Sequence, residues 1–151
     1  KASREEVTEL PNAADMTGMT IMIDGHKINL SQGELKAYKR TMNLKNGKKF
    51  TCTGDEPFQE LCLPYVEGSS WLLHEAFCLY SQREQFHPYE KHHSTVREAC
   101  QLAEKLSIPN LVLWHTEDKN LSQRKWLYTE EGKEFYFGRL IVPDDGEIIP
   151  L

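Results

Sequence analysis

The sequence predicts an α/β fold, a mixed β-sheet with helices on one face, folded as a single domain over residues 1–151. Three observations predict it. Trp71-Leu72-Leu73 and Leu111–Trp114 are short and uniformly apolar, the pattern of strands covered on both faces. Between them, Val96, Ala99, Cys100, Ala103 and Leu106 recur at the three-and-four spacing of a helix with one buried stripe. Upstream, Lys45-Asn46-Gly47 carries the Asn-Gly signal of a tight β-hairpin. Hairpins come first and strands then alternate with helices.

In order, residues 1–18 are polar and contain Pro11, Asn12 and Gly18, which predicts a loose lead-in. Met19–Asp24 and Lys27–Leu30 flank a Gly25-His26 turn and read as paired strands. Ser31–Lys39 has helical composition. Arg40–Leu44 and Lys48–Thr53 form the arms of the Asn-Gly hairpin. Pro57 suits the first turn of a helix reaching Val66, which Gly68-Ser69-Ser70 breaks before the strand at Trp71. Residues 78–92, aromatic and charged, resemble a long functional loop with some helix. Ser94 or Thr95 caps the helix that runs to about Leu106, and Pro109-Asn110 ends that unit. Ser122–Glu131 is helical and stopped by Gly132. Phe135–Phe137 and Leu140–Val142 pair as terminal strands, and Ile148–Leu151 trails off.

At 151 residues the chain can bury one sizeable core. Its 18 basic and 23 acidic residues give a net charge of −5, with no basic stripe for phosphate neutralisation, so bulk charge does not support nucleic-acid binding. Cys52, Cys62, Cys78 and Cys100 have neither a C-x-x-C pair nor a disulfide-framework spacing. They read as buried free thiols, which fits a reducing cytoplasm. No apolar run is long enough for a membrane helix and no signal-peptide pattern is visible. The chain begins Lys-Ala-Ser-Arg without a methionine, as a processed product or one part of a longer polypeptide would.

The chemistry concentrates between residues 53 and 115. Groups at the carboxyl ends of neighbouring strands share one edge of an α/β sheet. That places His74, Glu75, His93 and His115 on a single rim, with Asp55 as a further member. Asp55, after a strand and Gly54, is either a turn former or a metal ligand that a glycine lets project without clash. His115 ends a buried run, where imidazole must be paired or bound, so a satisfied core histidine and a ligand are both open. Glu75 facing His93 would fix the imidazole tautomer and raise its pKa, which suits a general acid; the plainer alternative is a loop anchor. His26, His74, His87 and His92 have no ligand spacing among themselves. His92 and His93 are adjacent and point apart if extended, so at most one serves the site.

These residues stand in a recognisable order. Thr-Gly-Asp (53–55), Leu-His-Glu-Ala-Phe (73–77), His-Ser-Thr (93–95) and Leu-Trp-His-Thr (113–116) resemble the metallo-β-lactamase fold, most of all its ribonuclease Z-like branch, where His-Glu-Ala-Thr and His-Ser-Thr segments recur. The resemblance implies half of a four-layer αββα sandwich, the C-terminal half. It implies Asp55 as the aspartate bridging two metal ions, usually zinc, and His115 as the last histidine ligand. It implies His93 as proton donor to the leaving group, supported by Glu75. Metal-activated water would then hydrolyse a phosphodiester or related ester.

The family's His-x-His-x-Asp-His run is absent from these residues, and the place of the middle histidine ligand falls near Ser31. Two matched ligands are fewer than catalytic zinc needs. The chain therefore reads as incomplete, to be completed by the N-terminal half of the fold or by a second copy. The alternative is a non-catalytic remnant that self-associates through an uncovered apolar sheet face. Processing of tRNA ends is the weaker third reading, since no glycine- and lysine-rich arm is present.

Overall fold

A computed structural model describes residues 6–9, 20–23, 26–29, 40–43, 47–119 and 121–151, the first four segments as backbone strands. The strands in chain order are β1 (Glu6–Glu9), β2 (Thr20–Ile23), β3 (His26–Asn29), β4 (Arg40–Asn43), β5 (Lys49–Cys52), β6 (Trp71–Glu75), β7 (Asn110–Trp114), β8 (Arg139–Ile141) and β9 (Ile148–Pro150). The helices are α1 (Leu63–Val66), α2 (Arg83–Phe86), α3 (Val96–Lys105) and α4 (Arg124–Gly132). Short 3₁₀ turns cover Glu60–Cys62, Tyr80–Gln82 and Tyr89–Lys91.

Among the described residues one sheet has the order β1-β4-β5-β6-β7-β8 and a second the order β3-β2-β9. In the larger sheet β5, β6, β7 and β8 run parallel, while β4 is antiparallel to both of its neighbours. The sequence fold class holds, a mixed sheet with helices. Both hairpins expected from the sequence are present, β2 with β3 and β4 with β5; the turn residues 44–46 and the stretch Ser31–Lys39 lie outside the described residues.

Alternation along parallel strands decides which side chains meet the helices. Leu72, Leu111 and Leu113 pack with Val96, Ala99, Cys100, Ala103 and Tyr128 in one core. Phe50, Cys52, Trp71, Leu73, Val112 and Trp114 face the other way and are also buried. Both faces of β6 and β7 are thus covered, and the uncovered sheet face required for self-association is not found among the described residues. Thr95 caps α3 with a capping box, its hydroxyl accepting from the Glu98 N–H while the Glu98 carboxylate accepts from the Thr95 N–H. All four cysteines are buried and none is in a disulfide. No helix among the described residues is long and apolar enough to cross a membrane.

Four expectations need correction. The helix expected from Pro57 starts as a 3₁₀ turn at Glu60 and becomes α-helical only over Leu63–Val66. Pro64 has no N–H to donate to the Glu60 carbonyl, so an α-helical ladder cannot run through it. Gly132 is the last residue of α4, as expected. A Cβ there would lie 2.4 Å from Leu140 Cδ2 and 3.1 Å from Cys100 Sγ, so the missing side chain lets α4 approach β8. Phe135–Phe137 is not a strand, because the N–H groups of Phe135 and Tyr136 both donate to the Gly132 carbonyl. Ile148–Pro150 does not trail off but pairs in parallel with β2. The lead-in contains β1, which pairs with β4.

Candidate metal centre

Because β5, β6 and β7 are parallel, their carboxyl ends lie on one edge. The ladder runs one residue past β5, where the Thr53 N–H donates to the Leu73 carbonyl at 3.1 Å. Gly54 then takes φ +82°, a conformation open to glycine, and turns Asp55 onto that edge. Glu75 is the last residue of β6, and its register partner is Trp114. It shares a face with Leu73, whereas His74 lies on the helix side with Leu113. His115 follows β7 with φ +51°, a left-handed conformation that a side chain adopts only under constraint. His93 arrives from the far loop. The Phe77 N–H donates to the Ser94 carbonyl and the Val96 N–H to the Cys78 carbonyl, stitching the entry to α3 against the exit from β6.

Asp55, His93 and His115 come together so that one ligand atom from each lies within 4.8 Å of the others. Asp55 Oδ1 is 3.2 Å from His115 Nε2 and 3.6 Å from His93 Nδ1. Glu75 Oε2 is 3.7 Å from His93 Nδ1, while its other oxygen accepts from the Ser94 N–H at 2.5 Å. Asp55 Oδ1, Glu75 Oε2 and His93 Nδ1 are buried and make no hydrogen bond among the described residues. Native interiors rarely leave such atoms without partners, and a carboxylate with imidazoles is a suitable donor set for a divalent ion. The residues fit a metal.

Burial dominates the electrostatics. It pushes the Glu75 carboxyl up to about 8, against hydrogen bonds from Ser94 that pull it down. Burial also raises Asp55, which the positive form of His93 partly offsets. His93 and His115 are both lowered by burial, with Asp55 opposing the shift at His93 and Asp118 opposing it at His115. The sequence expectation of a raised His93 pKa is therefore not met: burial makes the net shift downward, and the opposing carboxylate is Asp55. At neutral pH Glu75 keeps its proton and His93 is uncharged, so their 3.7 Å approach joins two neutral groups.

Of the other histidines, the His74 ring is buried and its Nδ1 lies 2.6 Å from the Glu75 carbonyl oxygen, below the rim rather than on it. His87 pairs at 3.5 Å with Glu90. His92 is exposed with φ +60°, leaving His93 alone of the adjacent pair in the site. His26 lies in β3. Two residues escaped sequence reasoning. Phe77 stacks on His93 with ring centroids 5.0 Å apart, and Tyr128 donates its hydroxyl to the Phe77 carbonyl at 2.9 Å. A signal for Phe77 was present, since the phenylalanine stands where the branch motif has threonine.

Residues 2–51 match the family described as glycosyl hydrolase family 65, N-terminal domain. In line with this, a kojibiose phosphorylase from Halothermothrix orenii is 49% identical over 43 residues, 28% of this chain and 6% of that protein. A ribonuclease Z from Thermococcus sibiricus is 30% identical over 107 residues, 71% of this chain and 33% of the relative. The chain thus spans about a third of the length of the ribonuclease Z it matches. Among solved structures, the metallo-β-lactamase fold protein YhfI from Bacillus subtilis superposes with a TM-score of 0.59 at 16% identity, over 87% of this chain and 47% of that one. Ser31 lies outside the described residues and falls within the 2–51 match. With three parallel strands delivering Thr-Gly-Asp, His-Glu-Ala and Trp-His to one edge, the chain has the metallo-β-lactamase fold and is ribonuclease Z-like.

Proposed function

We propose that this chain carries the C-terminal part of a metal-dependent hydrolase centre acting on a phosphodiester or related ester. The observation that supports it best is the convergence of Asp55, His115 and His93, with Asp55 Oδ1 and His93 Nδ1 buried and without hydrogen bonds among the described residues. Asp55 and His115 would hold metal, and His93 with Glu75 would handle the proton. A bound divalent ion, zinc in this reading and two ions in the complete site, supplies Lewis acidity and lowers the pKa of water. Two donors are fewer than the three that catalytic zinc takes from protein. The remainder would come from the N-terminal half of such a fold or from a second copy of the chain.

The chain's own groups account for the proton. His93 Nδ1 faces Asp55 and Glu75, which leaves Nε2 for substrate. As the P–O bond to the leaving oxygen breaks, neutral His93 gives its Nε2 proton to that oxygen. The Glu75 proton moves to Nδ1 in the same relay, so the ring stays neutral throughout. Contacts of 3.7 Å in a substrate-free site shorten when the substrate closes it. Buried thiols outside disulfides suit a reducing compartment, and we place the protein in the cytoplasm. A net charge of −5 gives nucleic acid no preference over a small ester.

Zinc affinity, measured by competition with a chromophoric chelator, tests the assignment. Asp55→Ala and His115→Ala should each weaken binding at least tenfold, the usual cost of losing a ligand or its support. Equal affinity in wild type and both variants would overturn it.

A further inference from the structure

Phe77 has no chemistry of its own, yet it touches the segments that carry both histidines of the site. Its N–H donates to the Ser94 carbonyl at 2.9 Å, one residue beyond His93. Its carbonyl accepts from the Glu117 N–H at 2.7 Å, two residues beyond His115. The same carbonyl accepts from the hydroxyl of Tyr128, a fully buried residue of α4, at 2.9 Å. Its ring lies nearly parallel to His93, with an interplanar angle of 24° at 5.0 Å, and tilts towards His115 at 6.2 Å. The two imidazoles are themselves 4.8 Å apart.

Nothing polar among the described residues fixes the His93 ring. The carboxylates at 3.6 and 3.7 Å from Nδ1 lie beyond hydrogen-bond range. Ring packing is what remains, and offset aromatic stacking at this separation is favourable and directional. Rotation about the Cβ–Cγ bond would tip the imidazole, and a flat neighbour opposes that motion. The distance to the next ring is thereby set.

We propose that Phe77 is the positioning residue of this site, setting the gap between His93 and His115, and that the Tyr128 hydroxyl pins its backbone. The link to metal rests on the hydrolase reading above; the ring geometry does not. An aliphatic side chain of similar volume would fill the space without defining a plane. A threonine, as in the branch motif, would leave His93 without this face.

The test uses the intact chain as Phe77→Leu, Phe77→Tyr and Tyr128→Phe, each checked for folding by circular dichroism. In the metal-free protein, the ring-to-ring nuclear Overhauser contact between His93 and His115 should be present in wild type and Phe77→Tyr and lost in Phe77→Leu. Zinc affinity should fall about 10- to 100-fold in Phe77→Leu, as for other groups that orient ligands, and be restored by Phe77→Tyr. Tyr128→Phe, which removes one hydroxyl, should weaken both readouts less, and it decides the matter if Phe77→Leu does not fold. An unchanged ring contact and affinity in Phe77→Leu, or equal impairment by Leu and Tyr, would overturn the proposal. A wild-type chain that binds no zinc but shows the ring contact would sink the hydrolase reading while leaving Phe77 in its positioning role.

Discussion

Replacing Glu75 by glutamine in the metal-free protein isolates the electrostatic cost of the site. The side chain is fully buried, and its carboxyl sits at about 8 against a usual value of 4.5. A carboxyl raised in the folded state contributes stability that is complete below the unfolded pKa and lost as pH rises through the folded one. Each pKa unit corresponds to about 1.4 kcal/mol, so ionisation of Glu75 in the unfolded chain lowers stability by about 1 kcal/mol at pH 5, about 3 at pH 7 and about 5 once pH exceeds 8. Glutamine is isosteric, its oxygen can accept the Ser94 N–H, and its amide can face His93 Nδ1. Urea unfolding from pH 5 to 9 should therefore show Glu75→Gln gaining on wild type as pH rises, from about 1 to about 5 kcal/mol. The contributions of Asp55, His93 and His115 are common to both proteins and largely cancel in the difference. Parallel pH profiles would mean that Glu75 is ionised and solvated in the folded chain, and the proton relay would fall with it.

Four further outcomes follow from the same geometry. His115→Gly should be more stable than His115→Ala by about 1 kcal/mol in thermal melts, the reverse of the usual order, because φ +51° penalises any Cβ. Gly132→Ala should lose about 1–3 kcal/mol by differential scanning calorimetry, since its Cβ would meet Leu140 at 2.4 Å. Thr95→Ala should lose about 1 kcal/mol in urea unfolding by removing the α3 cap. Deleting residues 1–43 removes β4 and bares the edge of β5, so light scattering should show more association than for the full chain.

Much of the fold was legible because the helices and strands announce themselves locally. The capping pattern at Thr95 and the apolar runs at β6 and β7 needed no knowledge of their neighbours. What stayed hidden depends on contacts across the chain. Gly132 ends α4, but its close approach to Leu140 and Cys100 shows only once the chain is folded, and β9 is a strand only because β2 offers it an edge. The same division runs through the site. Asp55, Glu75, His93 and His115 were legible as residues at strand ends and loop starts that the parallel topology gathers. The protonation states were not, because a carboxylate beside an imidazole suggests an ion pair, whereas burial outweighs that attraction and leaves both neutral. Phe77 escaped because its role lies in backbone bonds to residues 17 to 51 positions away.

The central claim is that Asp55 and His115 bind a cation with His93 directly beside it. Titrating cobalt(II) into the intact chain and following the histidine ring resonances tests it at any affinity. The expected result is early paramagnetic broadening of His93 and His115 ahead of the exposed His87 and His92, abolished in Asp55→Ala. Uniform broadening of all the histidines, or broadening of His93 and His115 that survives the loss of Asp55, would contradict it.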